Sequence, residues 1–337
     1  MQSPILARSQ TAPKTAAWRQ ELRQAFRRAD SLLATLGLDE TALPHLTDPA
    51  FPILAPRPFV ARMRQGDPDD PLLRQVLPDP GEMESAPGFS DDPVGDRASR
   101  VARGLLHKYQ GRLLLISTGA CAIHCRYCFR QAYPYAQDHF HSGQVQQLLA
   151  HLDRQPDIEE IILSGGDPLM LDTHRLRELT DALLGREQIQ RIRLHTRLPV
   201  VLPSRIDPDL LDWLAGLPWK LVVVIHANHA REFDSQVDDA MASLRQAGAT
   251  LFNQTVLLAG VNDRARDLAD LMRRGFEASV IPYYLHLLDR VSGATRFEQR
   301  TDRALELIEQ LRIELPGYLV PRLVREQAGA PYKLPVL

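Results

Sequence analysis

Cys121, Cys125 and Cys128 fall within eight residues of one another, in CAIHCRYCF, and are the only cysteines of the 337-residue chain. An odd set so tightly spaced is a poor disulfide framework and reads as a ligand set in a reducing compartment. Three thiolates at C-x3-C-x2-C spacing can hold three irons of a cubane and leave the fourth iron an open coordination site. A structural zinc site is the competing reading. Zinc prefers four closed ligands, and only His124 or a remote histidine is at hand to complete the set.

Such a loop needs a scaffold, and the sequence supplies one. From about residue 112, short β-rich apolar runs at 113–118, 160–165, 191–196, 220–226, 250–258 and 279–286 alternate with helical stretches near 142–154, 173–185, 207–215, 231–247, 263–275 and 301–313. Six consecutive βα units imply a parallel sheet with right-handed crossovers. An open doubly wound sheet and a partial barrel both satisfy that count. The unusual polar residues (Cys121 to Cys128, Asp167, His195 to Arg197, His226 to His229, Asp289) lie at or just beyond the C-terminal ends of the runs. Barrel active sites are assembled there, although open sheets also bind ligands at strand ends. The reading is an α/β fold, a partial (β/α)6 TIM-like barrel over residues 106–316. A helical and loop-rich region over 1–105 precedes it, with a predicted helix over 18–36 and the Pro-rich acidic segment PGFSDDPVGD at 87–96. A strand and tail over 317–337 follow.

Composition excludes other classes. Apolar residues make up 44% and charged residues 24%, and the formal net charge is −2. That is the balance of a soluble globular protein, with nothing to suggest nucleic acid or a membrane surface as partner. No apolar run approaches the roughly 18–20 residues of a membrane span. The N-terminal segment lacks a signal peptide's continuous apolar stretch. The expected location is the cytoplasm.

The cysteine spacing, with an aromatic Tyr127 before the last cysteine, resembles the radical S-adenosylmethionine (SAM) superfamily. There the open iron of a [4Fe–4S] cluster chelates SAM. The run SGGDPLM after the second strand resembles the superfamily segment that meets the methionyl amino group, which points to Gly165, Gly166 and Asp167. Glycine permits close backbone approach to a ligand. The string GGDP alone would be an ordinary turn.

Over nearly its whole length the chain resembles, more narrowly, the lysine 2,3-aminomutase family. The segments that carry the resemblance are DPDDPLLRQVLPD (67–79), HKYQGRLLLIST (107–118), CRYCFR (125–130), LSGGDPLML (163–171), HTRLPVVLPSRI (195–206), HANH (226–229), NQTVLLAGVND (253–263) and YYLHLLDRVSGATRF (283–297). The resemblance implies a partial (β/α)6 barrel and a second cofactor, pyridoxal phosphate. It assigns the cofactor's carbonyl to Lys333 in PYKLPVL, where AGAPY replaces the family's run of glycines. It places Lys108 and Arg112, and with them Arg205, near the cofactor phosphate; Lys108 stands where the family has an arginine. Arg130 matches the arginine that binds the substrate carboxylate, and a guanidinium fork suits that group. Asp289 and Glu326 match the two acids that receive the distal ammonium of lysine, with Glu326 in place of the usual Asp. His226 and Gln254 resemble positions around the nucleoside.

The activity so implied is conversion of L-lysine to (R)-β-lysine, with an external electron donor for the cluster. The chain given stops four residues after Lys333. That ending, with Glu326 and APYKLPV, resembles the branch whose β-lysine is attached to elongation factor P by a separate ligase. Rival expectations are a catabolic aminomutase acting on lysine or another amino acid, and a zinc-stabilised binding protein without catalysis. Glutamate suits Asp289 and Glu326 poorly, because its distal charge is negative.

Overall fold

The structure, a computed structural model, describes residues 16–39 and 43–337. Its strands are β1 (Arg100–Ala102), β2 (Leu105–Tyr109), β3 (Arg112–Thr118), β4 (Glu160–Gly165), β5 (Arg191–Thr196), β6 (Lys220–Ile225), β7 (Thr250–Val256), β8 (Ile281–His286), β9 (Arg322–Arg325) and β10 (Leu334–Pro335). They form one sheet in strict sequence order, and β1 and β10 do not pair with each other. Neighbours from β3 to β9 run parallel, while β1–β2, β2–β3 and β9–β10 are antiparallel. The expected six βα units, β3 through β8, are present as an open partial barrel.

Parallel strands need long crossovers, and each crossover here carries a helix: Val145–Arg154, Thr173–Asp181, Pro208–Ala215, Ser235–Gln246, Ala265–Glu277, with Thr301–Glu314 leading into β9. Asp207 and Asp234 cap two of them, accepting from Leu210 N–H and Val237 N–H. The helices pack on the strands, which explains the apolar runs of β3 and β4. One apolar cluster extends from Trp18, Phe26 and Leu32 through Leu72 and Leu73 to Leu113, Leu163, Leu194 and Leu323. The N-terminal segment therefore packs on the same core as the barrel strands.

The chain departs from the sequence reading at three places. The single helix expected over 18–36 is two, Ala17–Arg23 and Ala29–Thr35. Between them Phe26 exchanges both backbone hydrogen bonds with Ala55, at 2.8 and 3.0 Å, and buries its ring. That tertiary pairing outweighs local helix propensity. Residues 100–109, expected as loop and barrel edge, form an antiparallel ladder onto β3 through a tight turn in which Gly111 adopts a φ of 78°. Of the strand and tail expected over 317–337, Gly317–Leu319 is a 3₁₀ turn, and Arg322–Arg325 and Leu334–Pro335 are strand.

Candidate active site

A cavity of about 1050 Å³ opens inside the barrel, and Cys121, Cys125 and Cys128 share it with Lys333. The cysteines lie on the loop that follows β3. Cys128 N–H donates to Cys125 O at 3.0 Å, which winds the loop into a turn. Burial pushes the Cys121 thiol well up, helped by Cys128 and Asp167 nearby. Burial beside Cys125 raises Cys128 to about 11. Thiols so placed ionise only against a cation, which a metal centre supplies.

The donor set fits a cluster better than zinc. No three His, Cys, Asp or Glu side chains among the described residues converge on one ion. A cubane spreads its thiolates over separate irons. His124, the nearest fourth zinc ligand in sequence, turns away: its Nδ1 meets Pro52 O at 2.7 Å and its ring stacks on Phe51.

Gly165 and Gly166 end β4 against this loop. A Cβ on Gly165, whose φ is 125°, would lie 2.4 Å from Thr118 O, and one on Gly166 would lie 2.3 Å from Ala120 O. Both glycines line the cavity, but the close approach that requires them is to the backbone of the cysteine loop. Asp167 also lines the cavity, yet its carboxylate is filled by protein donors. It accepts from Thr196 Oγ1 at 2.8 and 2.9 Å and from the backbone N–H groups of Leu169, Arg197 and Leu198 at 3.0, 2.7 and 3.1 Å. Burial raises it to about 6 despite those bonds. Its carboxylate braces the turn after β5 while the residue keeps its place on the cavity wall.

Arg205 lies away from the phosphate position expected for it. It is absent from the cavity lining and buried elsewhere. Its guanidinium donates to Leu169 O at 2.7 Å and Leu171 O at 3.1 Å, and lies over the Trp18 ring. Arg112 does line the cavity; it stacks over Tyr109, and its Nε has no hydrogen-bond partner among the described residues. Such an orphaned buried donor fits an anionic group such as a phosphate.

A ladder of alternating charge runs along the cavity wall. Lys333 pairs with Glu326, and Glu326 with Lys108 at 3.0 Å. Lys108 meets Asp96 at 2.7 Å and Val94 O at 2.8 Å. Asp96 accepts from Arg130 Nε at 2.6 Å, and Arg130 Nη1 donates to Ser164 Oγ at 3.2 Å. Burial alone would raise Glu326, but Lys333 and Lys108 hold it far below the usual carboxylate range. Burial raises Asp289, on the same cavity, to about 7, and Glu326 adds to the effect while Lys333 opposes it.

His226 stacks on Tyr127 with ring centroids 5.7 Å apart, and burial, with Arg197 beside it, lowers it to about 3. Gln254 enters the cavity from β7. Sequence reading missed Asp96, Gln75, Glu232, His195 and His286 as site residues. His195 and His286 line the cavity with Nε2 atoms that have no partner among the described residues. The sequence marks His195 only by its place at a strand end and the Asp96 segment only as acidic loop, and no periodicity marks either.

The open barrel with three cysteines after its first parallel strand defines a radical SAM protein, and the superfamily's profile matches residues 115–272. Among relatives, L-lysine 2,3-aminomutase of Escherichia coli is 43% identical over 96% of this chain and 95% of its own length. The Haemophilus influenzae enzyme of the same name is 39% identical over 98% and 97%, and that of Clostridium subterminale 30% identical over 83% and 67%. The chain belongs to the lysine 2,3-aminomutase family. It is an isomerase whose family cofactors are a [4Fe–4S] cluster, SAM and pyridoxal phosphate. No helix among the described residues is long and apolar enough to cross a membrane.

Proposed function

We propose that the protein moves the α-amino group of L-lysine to Cβ, giving β-lysine, and that this β-lysine serves the β-lysylation of elongation factor P by a separate ligase in the cytoplasm. The observation that carries the substrate reading is the acidic pair Asp289 and Glu326 beside Lys333, in the same cavity as Arg130 and the cysteines.

When bound, the reduced cluster and SAM supply a 5′-deoxyadenosyl radical, and pyridoxal phosphate supplies the π system that stabilises nitrogen migration. Cys121, Cys125 and Cys128 hold the cluster. Lys333 is the amine for the cofactor's carbonyl, and to act there it must leave Glu326. The carboxylate it leaves behind is then open to the distal ammonium of lysine, with Asp289 as second acceptor. Arg130 receives the α-carboxylate, its guanidinium already oriented by Asp96 and Ser164. Arg112 meets the cofactor phosphate with its free Nε, and Lys108 contributes charge while bridging Asp96 and Glu326. His226 and Gln254 bound the nucleoside, and Gly165, Gly166 and Asp167 shape the wall beside it. The enclosure keeps water from the radical and fixes the reactants at close range.

Support for the elongation factor P role is the resemblance carried by Glu326 and the segment APYKLPV. The match to the E. coli relative is also higher in identity and coverage than that to the Clostridium one. Anaerobic incubation of reconstituted protein with L-lysine, SAM, pyridoxal phosphate and a reductant should yield β-lysine. Intact cluster and cofactor without that product would sink the proposal. For the pathway, purified elongation factor P and its ligase should gain one β-lysyl group only when this reaction is included.

A further inference from the structure

The buried surroundings of Cys125 differ from those of the other two cysteines. Arg197 Nη1 donates to Cys125 Sγ at 2.6 Å and to Tyr127 Oη at 2.6 Å. Its other arm, Nη2, donates to Gln75 Oε1 at 2.7 Å and Glu232 Oε2 at 2.9 Å. Glu232 is fully buried and further accepts from Asn228 N–H at 2.9 Å, Gln75 Nε2 at 3.1 Å and His229 N–H at 3.2 Å. The Arg197 backbone N–H is in turn fixed by Asp167. Among the described residues, Cys121 and Cys128 have no such guanidinium donor.

Burying an ion pair contributes little net stability, and apolar residues of similar volume often serve as well. The pair here has a geometric consequence that apolar residues would not reproduce. Glu232 and Gln75 take one face of the guanidinium and leave the other aimed at a sulfur. Hydrogen bonds to cluster sulfurs are among the main determinants of reduction potential, because a donor stabilises the more negative reduced state.

We propose that Arg197 is a positioning residue for the iron–sulfur cluster: anchored by Glu232 and Gln75, it donates to the Cys125 sulfur and raises the cluster's reduction potential. Gln75, from the N-terminal segment, thereby couples that segment to the cluster. The inference rests on the cluster reading above.

The test is a potentiometric titration of anaerobically reconstituted holoenzyme, followed by electron paramagnetic resonance of the reduced cluster. Iron and sulfide near four of each per chain in the wild type establish the cluster; their absence would remove that reading and this inference with it, whereas unchanged potentials in a loaded protein would remove this inference alone. At a fixed potential Arg197→Gln should lower the ratio of reduced to oxidised cluster about tenfold, equal to 59 mV for one electron. Arg197→Lys, which keeps charge but loses the fork, should lower it less. Glu232→Gln keeps an acceptor for Arg197 Nη2 while removing the balancing negative charge, and should raise it. The opposite signs separate an electrostatic role from general loosening. Unchanged potentials in fully loaded variants would overturn the proposal, as would shifts of the same sign in Arg197→Gln and Glu232→Gln. If Arg197→Gln does not load, Arg197→Lys and Glu232→Gln decide by the same criterion.

Discussion

The two ends of the cavity are built differently. Around Cys125, Arg197, Glu232, Gln75 and Asp167 are joined by hydrogen bonds from several segments of the chain, with only the Arg197 Nε of that guanidinium left without a partner among the described residues. Around Lys333 the charges also pair, but each of the three cavity groups Lys333, Glu326 and Arg130 holds a partner that a ligand would have to replace or join. The first end is preorganised to hold something permanent. The second is a set of exchangeable ion pairs, each standing where a charge of the substrate or cofactor would go. Partners of opposite charge hold the Glu326 carboxyl low and the Arg130 guanidinium high, so both meet their ligands charged despite burial.

The largest effect that tests this contrast is at Lys333. Lys333→Ala should reduce turnover to background and remove the visible absorbance of protein-bound pyridoxal phosphate, while iron and sulfide content stay at the wild-type level. Cofactor absorbance that survives the change would place the carbonyl on another lysine. A simultaneous loss of the cluster would mean that the two ends are not separable.

Next in size is Glu326, whose carboxylate is held ionised by Lys333 and Lys108. Glu326→Gln should raise KM for lysine about 30-fold or more, the lower end of the cost of losing one buried charge partner, with a smaller effect on kcat. Steady-state kinetics at saturating SAM reads the split. Equal loss in kcat with unchanged KM would assign Glu326 to holding Lys333 instead of the substrate.

Much of this arrangement was legible in the sequence, and the limits are physical. β4 lies where its apolar run placed it, because a parallel strand covered on both faces writes itself as an unbroken run, and β5 lies where the alternating RIRLHT placed it. The cysteines were legible because their spacing is local. Phe26 was not, since its pairing with Ala55 is a tertiary event inside an apparently helical pattern. Nor was Glu232 legible: its partner Gln75 lies 157 residues away, and both look like ordinary surface polar residues until the fold buries them. Gly165 and Gly166 were recognised as special, but for a ligand's approach; the nearest obstruction is the neighbouring loop's own backbone.

A pH dependence sharpens the contrast between the two acids. Burial and the Glu326 charge put Asp289 near pH 7, although Lys333 and Lys108 pull the other way. A raised carboxyl is neutral below its pKa, so at pH 6 Asp289 offers an ammonium no charge and at pH 8 it does. The kcat/KM for lysine should therefore rise with pH through about 7. Asp289→Asn should abolish that inflection and leave a value near the low-pH limit of the wild type. Persistence of the inflection would assign it to another group.

The smallest expected effect separates two arginines. Arg112 lines the cavity with an unpartnered Nε, whereas Arg205 holds two carbonyls under Trp18. Arg112→Met should weaken pyridoxal phosphate binding, since a phosphate loses a charged donor. Arg205→Met should leave cofactor affinity unchanged and lower thermal stability, because Leu169 O and Leu171 O lose their guanidinium donor. Buried carbonyls without partners cost about 1–3 kcal/mol each, enough to read in a melting curve. If Arg205→Met instead weakened cofactor binding with stability intact, the phosphate site would extend beyond the cavity wall described above, and the turn after β4 would belong to it.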